Sequence, residues 1–543
     1  MAKIKIALFH YHFLPGGVTT AASLAVNALL EYGVNSILTN NFQIEEIAFI
    51  SGREENLENL VSEKIKIPSA SNVKIGYEIC RSVDYISDNS QRDDSRKRKD
   101  IAKLFEKYSS YIWWIHNYHL GKNPLFTSLL TEHLSENSSQ KAILHIHDFP
   151  ECGRLSNYRY LTGDVKTLYP LKSNIRYAVI NARDKRYLIN AGIPETHVNL
   201  LYDPVPDITN NKAREGISLQ DAELQDKAKK MLSVTYGKYF PGFNPDKPFA
   251  LYPVRTIRRK NILEAALLGH ITGEGFNLVV TLPGISEQEK NYSGIVKTCF
   301  ENGWAPGIWG CGTAIYGKAA QFNDVIASSD FIISSSLLEG FGYLFIDSLR
   351  WGKPLAARYL DITEGFNDIF DNTASFFYHS INVPLNISER EIIMKKWKGI
   401  IKTYSSVINS SMAERIDSEI TSVFNGEYAD FSYLPVIKQA EILKQIKNEF
   451  SFKNDIKQIN AKTTVDILNV IKMKQNFDSD KALEYFSFKS FAHNFSQIIS
   501  SLYENNPASG DGTSESQNNA DISSKMLSFF IKKEFLRIIL AEK

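Results

Sequence analysis

Short apolar runs alternate with amphipathic stretches twice along this chain, an order that confines the fold to α/β units built on parallel sheets. In the first half Ile4–His12 reads as a buried strand, followed by the turn Pro15-Gly16-Gly17. A helix starts near Thr19 and carries Ala22, Leu24, Ala25, Leu29 and Leu30 on a helical period. Further strands are predicted at Ser36–Thr39, Tyr111–Ile115, Ala142–His147, Tyr177–Ile180 and Val198–Tyr202, and Gly192 ends the helix before the last of them. A second set follows the Gly-, Pro- and aromatic-rich loop 237–247. Its strands are Phe249–Val254, Asn277–Leu282, Gly307–Trp309, Asp330–Ser334 and Pro354–Arg358. From about Glu391 the pattern is helical, with no strong strand, and 504–524, rich in Asn, Ser and Gly, is expected to be disordered. The expected domains are therefore 1–236 and 237–390, both α/β, and a helical extension over 391–543.

A length of 543 residues exceeds the roughly 250–300 that one core sustains, in keeping with that division. Lys+Arg 62 against Asp+Glu 61 leaves a formal charge of +1, which argues against a nucleic-acid partner. The cysteines, Cys80, Cys152, Cys299 and Cys311, are scattered and form no C-x-x-C pair, so reduced thiols and a cytoplasmic protein are expected. The apolar start of the chain is too short for a signal peptide, and no stretch reaches the roughly 20 apolar residues of a membrane span.

The chemistry concentrates in Ser334-Ser-Ser-Leu-Leu-Glu339-Gly-Phe-Gly342-Tyr-Leu-Phe-Ile-Asp347, which continues to Gly352-Lys353-Pro354. A strand ends in small polar residues, a loop presents a carboxylate, and Gly340 and Gly342 bare the backbone around Phe341. A helix then opens near Tyr343 and Leu344. Amides at a helix N-terminus suit a diphosphate, and a carboxylate beside them can accept from sugar hydroxyls. Asp347, eight positions after Glu339, is placed to meet a vicinal diol such as a ribose. At the head of the second half, Arg255-Thr-Ile-Arg-Arg-Lys260 sets basic residues five apart across a short loop, able to converge on one phosphate group. Arg258 and Arg259 are expected to be solvated.

These two stretches resemble the retaining family-4 glycosyltransferases, with their E-x7-E signature and their G-R-L-x-x-x-K-G run. The resemblance covers about Lys3–Phe370 and is densest from Phe249 to Arg358. It implies a GT-B fold: two Rossmann-like domains facing each other across a cleft, the first for the acceptor and the second for the donor. It further implies hexosyl transfer from a nucleoside diphosphate sugar with retention, a donor phosphate oxygen taking the acceptor proton. On it, Glu339 sits at the donor sugar, Asp347 takes the ribose position, and Arg255 and Lys260 meet the diphosphate. Gly340, Phe341, Gly342, Tyr343 and Leu344 line the donor site, and Gly16 and Gly17 face its phosphates. His147 matches the histidine near the donor sugar. Ile308-Trp-Gly310 and Gln321–Ser329 resemble the elements that border the base. The chain departs from the pattern at Pro253-Val254, at Asn261 in place of glycine, and at Asp347 in place of glutamate.

His10, His12, His116, His119, His145 and His147 cluster near strand ends, where ligands bind in α/β sheets. None has the i, i+4 spacing of a zincin. The single D-x-D triplet, Asp478-Ser-Asp480, lies in the helical tail, so neither a metal nor a cofactor is expected. Expected partners are a nucleotide-sugar donor and a carbohydrate, lipid-linked or protein acceptor. The final segment, Met526–Leu540, mixes apolar residues with Lys532, Lys533 and Arg537. It suits either a peripheral membrane contact or docking on a domain. A nucleotide-sugar epimerase and a catalytically silent sugar-nucleotide-binding or scaffolding protein are the alternative functions.

Overall fold

The computed structural model describes residues 2–32, 42–69, 71–86, 94–206, 222–476, 478–504 and 515–539. Two compact units emerge. The first comprises Met1–Ile208, Ile362–Phe366 and Ser479–Phe530; the second comprises Thr209–Asp361, Asn367–Asp478 and Ile531–Lys543.

The first unit is built on a seven-stranded parallel sheet of order β3-β2-β1-β4-β5-β6-β7. The strands are β1 (Ala2–His10), β2 (Phe42–Ser51), β3 (Lys74–Ile79), β4 (Ile112–His116), β5 (Ala142–Ile146), β6 (Ile175–Val179) and β7 (Val198–Leu200). β4, β5 and β6 are buried along their whole length, as parallel strands covered on both faces must be. Strand order reverses between β1 and β4, and the expected β1 stops at His10, so His12 stands beyond its carboxyl end. The strand expected at Ser36–Thr39 lies outside the described residues. β2 and β3 were not expected. Glu45 and Glu46 break the apolar run of β2 and pair with Lys3 and Lys5 of β1 at 2.7 and 3.9 Å. β3 is a half-exposed edge strand without a continuous apolar face.

The second unit carries a six-stranded parallel sheet of order β10-β9-β8-β11-β12-β13. Its strands are β8 (Phe249–Arg255), β9 (Asn277–Leu282), β10 (Gly307–Trp309), β11 (Phe331–Ser334), β12 (Leu355–Arg358) and the unexpected β13 (Ser375–Tyr378). Two short antiparallel strands follow, β14 (Asn382–Pro384) and β15 (Tyr428–Asp430), and β15 corrects the expectation of a tail without strands after 391. The two α/β units and the helical C-terminal region expected of a GT-B chain are both present.

The helical tail, drawn from sequence as one extension over 391–543, is shared between the units. Helix Phe488–Ser501 buries Phe491, Phe495, Ile498 and Ile499 in the core beneath helix Gly17–Tyr32, and the Phe495 ring lies 4.6 Å from Trp114. Helix Glu515–Phe529 occupies much of the stretch expected to be disordered; residues 505–514 lie outside the described residues. Of the two readings of the final segment, docking on the protein is the one that the burial supports. Met526, Leu527, Phe530, Ile531, Phe535 and Leu536 are all buried, so their apolar area is already withdrawn from water. Among the described residues no helix is long and apolar enough to cross a membrane. All four cysteines are free thiols, three of them buried.

Candidate active site

Two loops at the carboxyl end of the second sheet make the site. After β8, the pairing with β9 shifts between Tyr252 and Arg255, where Pro253 has no N–H to give the ladder. The chain then makes a tight turn over Arg258–Lys260 and reaches Asn261 in the left-handed region, φ 52° and ψ 44°. That conformation explains the departure at 261, since asparagine tolerates it better than other residues with a Cβ. The loop after β11 is clamped against this turn. Leu337 N donates to Arg259 O at 2.7 Å, and Ser335 Oγ donates to Asn261 O at 2.9 Å.

The clamp brings Lys260 Nζ into an ion pair with Glu339 Oε1. Arg259 Nη1 lies 3.5 Å from Glu339 Oε2 and donates to Leu338 O at 3.0 Å. Ser336 Oγ donates to Glu339 Oε1 at 2.5 Å, and the buried Tyr252 hydroxyl lies 2.8 Å from Ser336 Oγ and 2.9 Å from Lys260 O. The Lys260 and Glu339 side chains are only 13% and 15% exposed. Burial pushes the Glu339 carboxyl up, but Lys260, Arg259 and Ser336 outweigh it and hold it below the ordinary carboxylate range. The Lys260 ammonium is pushed down by burial and by Arg259 and Arg255, more than Glu339 restores. Several cations gathered on one carboxylate leave positive charge ready for an anionic ligand.

Arg255 is half exposed and 3.4 Å from Glu289 Oε1, within electrostatic reach of Lys260 but not in contact with Glu339. Arg258 is not solvated. Its guanidinium donates to Ser432 O at 3.0 Å and to Asn261 Oδ1 at 3.1 Å, tying the turn to the tail. Arg259, also expected in solvent, faces the carboxylate. Tyr252 and Ser336 were not singled out from sequence, although the serine run ending β11 was the signal for the latter.

Beyond Glu339, Gly342 adopts φ 89° and starts helix Tyr343–Arg350, a conformation that a Cβ would strain. Phe341 is buried with its ring centroid 4.8 Å from that of Tyr343, and Leu344 is half-buried. Asp347, also half-buried, accepts from Arg350 Nη1 at 2.7 Å. Burial raises its carboxyl despite that arginine. Trp309, in the strand expected to border the base, donates from its indole to Thr256 Oγ1 at 2.8 Å, beside Arg255.

In the first unit Gly16 and Gly17 are exposed where helix Gly17–Tyr32 begins. His147 stands just past the end of β5, buried, its amide donating to Asn117 Oδ1 at 2.8 Å. Its Nε2 is 2.8 Å from His116 Nδ1, and its Nδ1 is 3.8 Å from Asp203 Oδ1, so both ring nitrogens face protein. Nitrogens of His116, His145 and His147 lie within 4.8 Å of one another, close enough to share a metal ion. Trp114 Nε1, however, donates to His145 Nδ1 at 3.1 Å. That leaves the proton of neutral His145 on Nε2 and removes the lone pair a metal would need.

Burial pushes His10 and His119 down to about 3 and His147 to about 4, and holds His116 and His145 well below the ordinary histidine value. These five rings fold neutral but take a proton in the unfolded chain below about pH 6.5, so their contribution is intact above that pH and is lost as it falls. Burial raises Glu151 to about 8, which opposes them with one proton between its unfolded value and that of histidine. Thermal unfolding should therefore shift steeply downward from pH 6.5 to pH 5, with net proton uptake measurable by calorimetry in two buffers of different ionisation heat. A flat profile would contradict the buried cluster.

No family model matches the sequence. Mannosylglucosyl-3-phosphoglycerate synthase of Petrotoga mobilis is 30% identical over 543 residues, covering 98% of this chain and 99% of that protein. Among solved structures, HepE of Anabaena with UDP and glucose matches at 12% identity and a TM-score of 0.49, covering 92% of this chain and 99% of that one. Sucrose-phosphate synthase of Thermosynechococcus elongatus matches at 11% and 0.47, with 92% and 99% covered. At such TM-scores neither likeness bears on the role of any residue. The whole-length relation to the synthase does carry weight: this chain belongs to the family of mannosylglucosyl-3-phosphoglycerate synthase, a glycosyltransferase family.

Proposed function

We propose that the protein transfers a mannosyl unit from a nucleoside diphosphate sugar to the glucosyl group of glucosyl-3-phosphoglycerate, with retention of anomeric configuration. The Lys260–Glu339 pair, with Arg259 beside it and Arg255 within reach, carries the reading. A departing diphosphate needs cations held in place before the bond breaks, and buried, hydrogen-bonded side chains supply that preorganisation. The relative's name supports the choice of sugars, since its product joins mannose, glucose and 3-phosphoglycerate.

In the reaction the acceptor oxygen bonds to the anomeric carbon as the bond from that carbon to the diphosphate oxygen breaks. The acceptor proton passes to a phosphate oxygen of the departing diphosphate. Glu339 is ill suited to take it or to attack carbon: its carboxylate already accepts from Lys260 and Ser336, and a retaining glycosidase scheme asks for two carboxylates across the sugar. Its role is to receive hydroxyls of the donor sugar and to hold Lys260. The amides at the start of helix Tyr343–Arg350 meet the diphosphate. Asp347 meets the ribose once Arg350 yields it. In the first unit His147 is held neutral by burial.

A nucleoside diphosphate mannose at 100 times its Kd should raise stability by about 2.7 kcal/mol in a thermal-shift screen of donors. Incubation with glucosyl-3-phosphoglycerate should then give an α-linked product by NMR from an α-linked donor. Turnover of the donor to an isomeric sugar without acceptor would favour the epimerase, and donor binding without any turnover would favour the silent binder.

A further inference from the structure

A phenylalanine at 252 would fill the same space, so the atom that sets Tyr252 apart is its hydroxyl oxygen. The side chain is fully buried near the carboxyl end of β8, one residue past Leu251, which pairs with Ile332 of β11. A phenol withdrawn from water costs free energy unless its O–H finds partners. Both partners here belong to the loops that carry the Lys260–Glu339 pair. Ser336 Oγ, on an equally buried side chain, lies 2.8 Å away, and Lys260 O lies 2.9 Å away. Ser336 in turn donates to Glu339 Oε1 at 2.5 Å. Four oxygens therefore make one chain of contacts: Lys260 O, Tyr252 Oη, Ser336 Oγ and Glu339 Oε1.

Proton counting gives this chain a direction. Each hydroxyl has a single proton to donate. With Glu339 ionised, Ser336 gives its proton to the carboxylate and can only accept from Tyr252. The tyrosine proton then has two claimants, Ser336 Oγ and Lys260 O, and Lys260 O has a second donor in Ser335 Oγ at 3.2 Å. Donation to Ser336 polarises the serine O–H toward the carboxylate, and hydrogen bonds linked in this way strengthen one another. With Glu339 protonated the chain runs the other way. The carboxyl donates to Ser336, Ser336 to Tyr252 and Tyr252 to Lys260 O. The two hydroxyls thus follow the charge of Glu339, on the side of the carboxylate that Lys260 also meets.

We propose that Tyr252 is a positioning residue of the transfer reaction, acting through Ser336 to fix the Glu339 carboxylate where it receives hydroxyls of the donor sugar. This rests on the donor role given to Glu339 above. Being fully buried, Tyr252 acts on the sugar only through the serine.

The test uses the full chain. Tyr252→Phe keeps the ring and removes the hydroxyl. It should lower kcat by about 10-fold, the effect of one hydrogen bond, with little change in the KM for the donor. Ser336→Ala should cost at least as much, and the double variant no more than Ser336→Ala alone, because the tyrosine acts through the serine. A second readout needs no turnover. In infrared difference spectra the protonated-carboxyl band that is lost in Glu339→Gln should appear at a higher pH in Tyr252→Phe and in Ser336→Ala than in the wild type. A band unmoved in Tyr252→Phe, kcat within about 2-fold of the wild type, or additive losses in the double variant overturn the role of Tyr252. Should Tyr252→Phe fail to fold, a band unmoved in Ser336→Ala overturns it equally. The donor reading is judged on the wild type. Absence of turnover with every nucleoside diphosphate sugar would sink that reading, while the infrared titration would still decide whether the chain acts on Glu339.

Discussion

Lys260→Ala should lower turnover by about 10²–10³-fold, on the order of 3–4 kcal/mol of transition-state stabilisation, with the protein still folded. Two losses combine. On the proposed reaction the diphosphate loses a cation that is already placed by the turn Arg258–Lys260, and Glu339 loses the partner that holds its carboxyl low. With only Arg259 and Ser336 left on a mostly buried carboxylate, the Glu339 carboxyl should titrate higher. The acid limb of the pH–rate profile should then move upward in Lys260→Ala. Glu339→Ala should cost a similar factor, and the double variant little more than either, because the two side chains act as one unit. Additive losses in the double variant would show that they act independently, and a loss under 10-fold in both would remove the pair from the site.

Arg358→Ala should destabilise the second unit by about 3–5 kcal/mol, the cost of stranding a buried carboxylate. Arg358 and Glu264 are 1% and 0% exposed, and the guanidinium gives Glu264 two hydrogen bonds, at 2.9 and 2.6 Å. The same guanidinium gives Asp430 of β15 two more, both at 2.9 Å. Tyr378 and Asn261 each donate to Glu264 at 2.9 Å, so the network reaches the residue next to Lys260. Removing Arg358 leaves Glu264 with neutral donors alone. A loss of this size would lower the thermal midpoint by about 10 °C. Replacing Arg358 with Met and Glu264 with Gln together should cost less than Arg358→Ala, because Glu264 then carries no charge and Asp430 keeps Arg537 at 3.9 Å. Equal costs would assign the effect to lost packing instead.

This network also gives the tail a place. Arg537, 4% exposed, donates to Ser432 Oγ at 3.0 Å, and Ser432 O receives Arg258. A helix near the end of the chain thus braces the turn that presents Lys260. Nothing in the local pattern foretold this. Arg358 closes an apolar run at the end of β12, and Arg537 sits among apolar residues that suited a membrane surface equally well.

Several elements were legible because their information is local. The strands β4, β5, β6 and β9 are short apolar runs between turn residues, and the loops around Lys260 and Glu339 carry Gly, Asn and Ser where the backbone turns sharply. β2, β3 and β13 were missed for the opposite reason. Charged residues interrupt β2 and are neutralised only by the neighbouring strand, and β3 is an edge with no apolar face to read.

By itself the sequence determined the two parallel α/β units, the Glu339 loop and the basic turn before it, since each follows from periodicity or from residues within a few positions. The tertiary structure alone decided that Lys260 and Arg259, not Arg255, meet Glu339, that Arg258 is spent on the tail, and that the terminal apolar helices are buried. Those outcomes depend on which of several nearby cations a distant loop approaches and on which surface remains open for an apolar face. Burial and long-range pairing set both, and they arise only when segments far apart in the chain pack together.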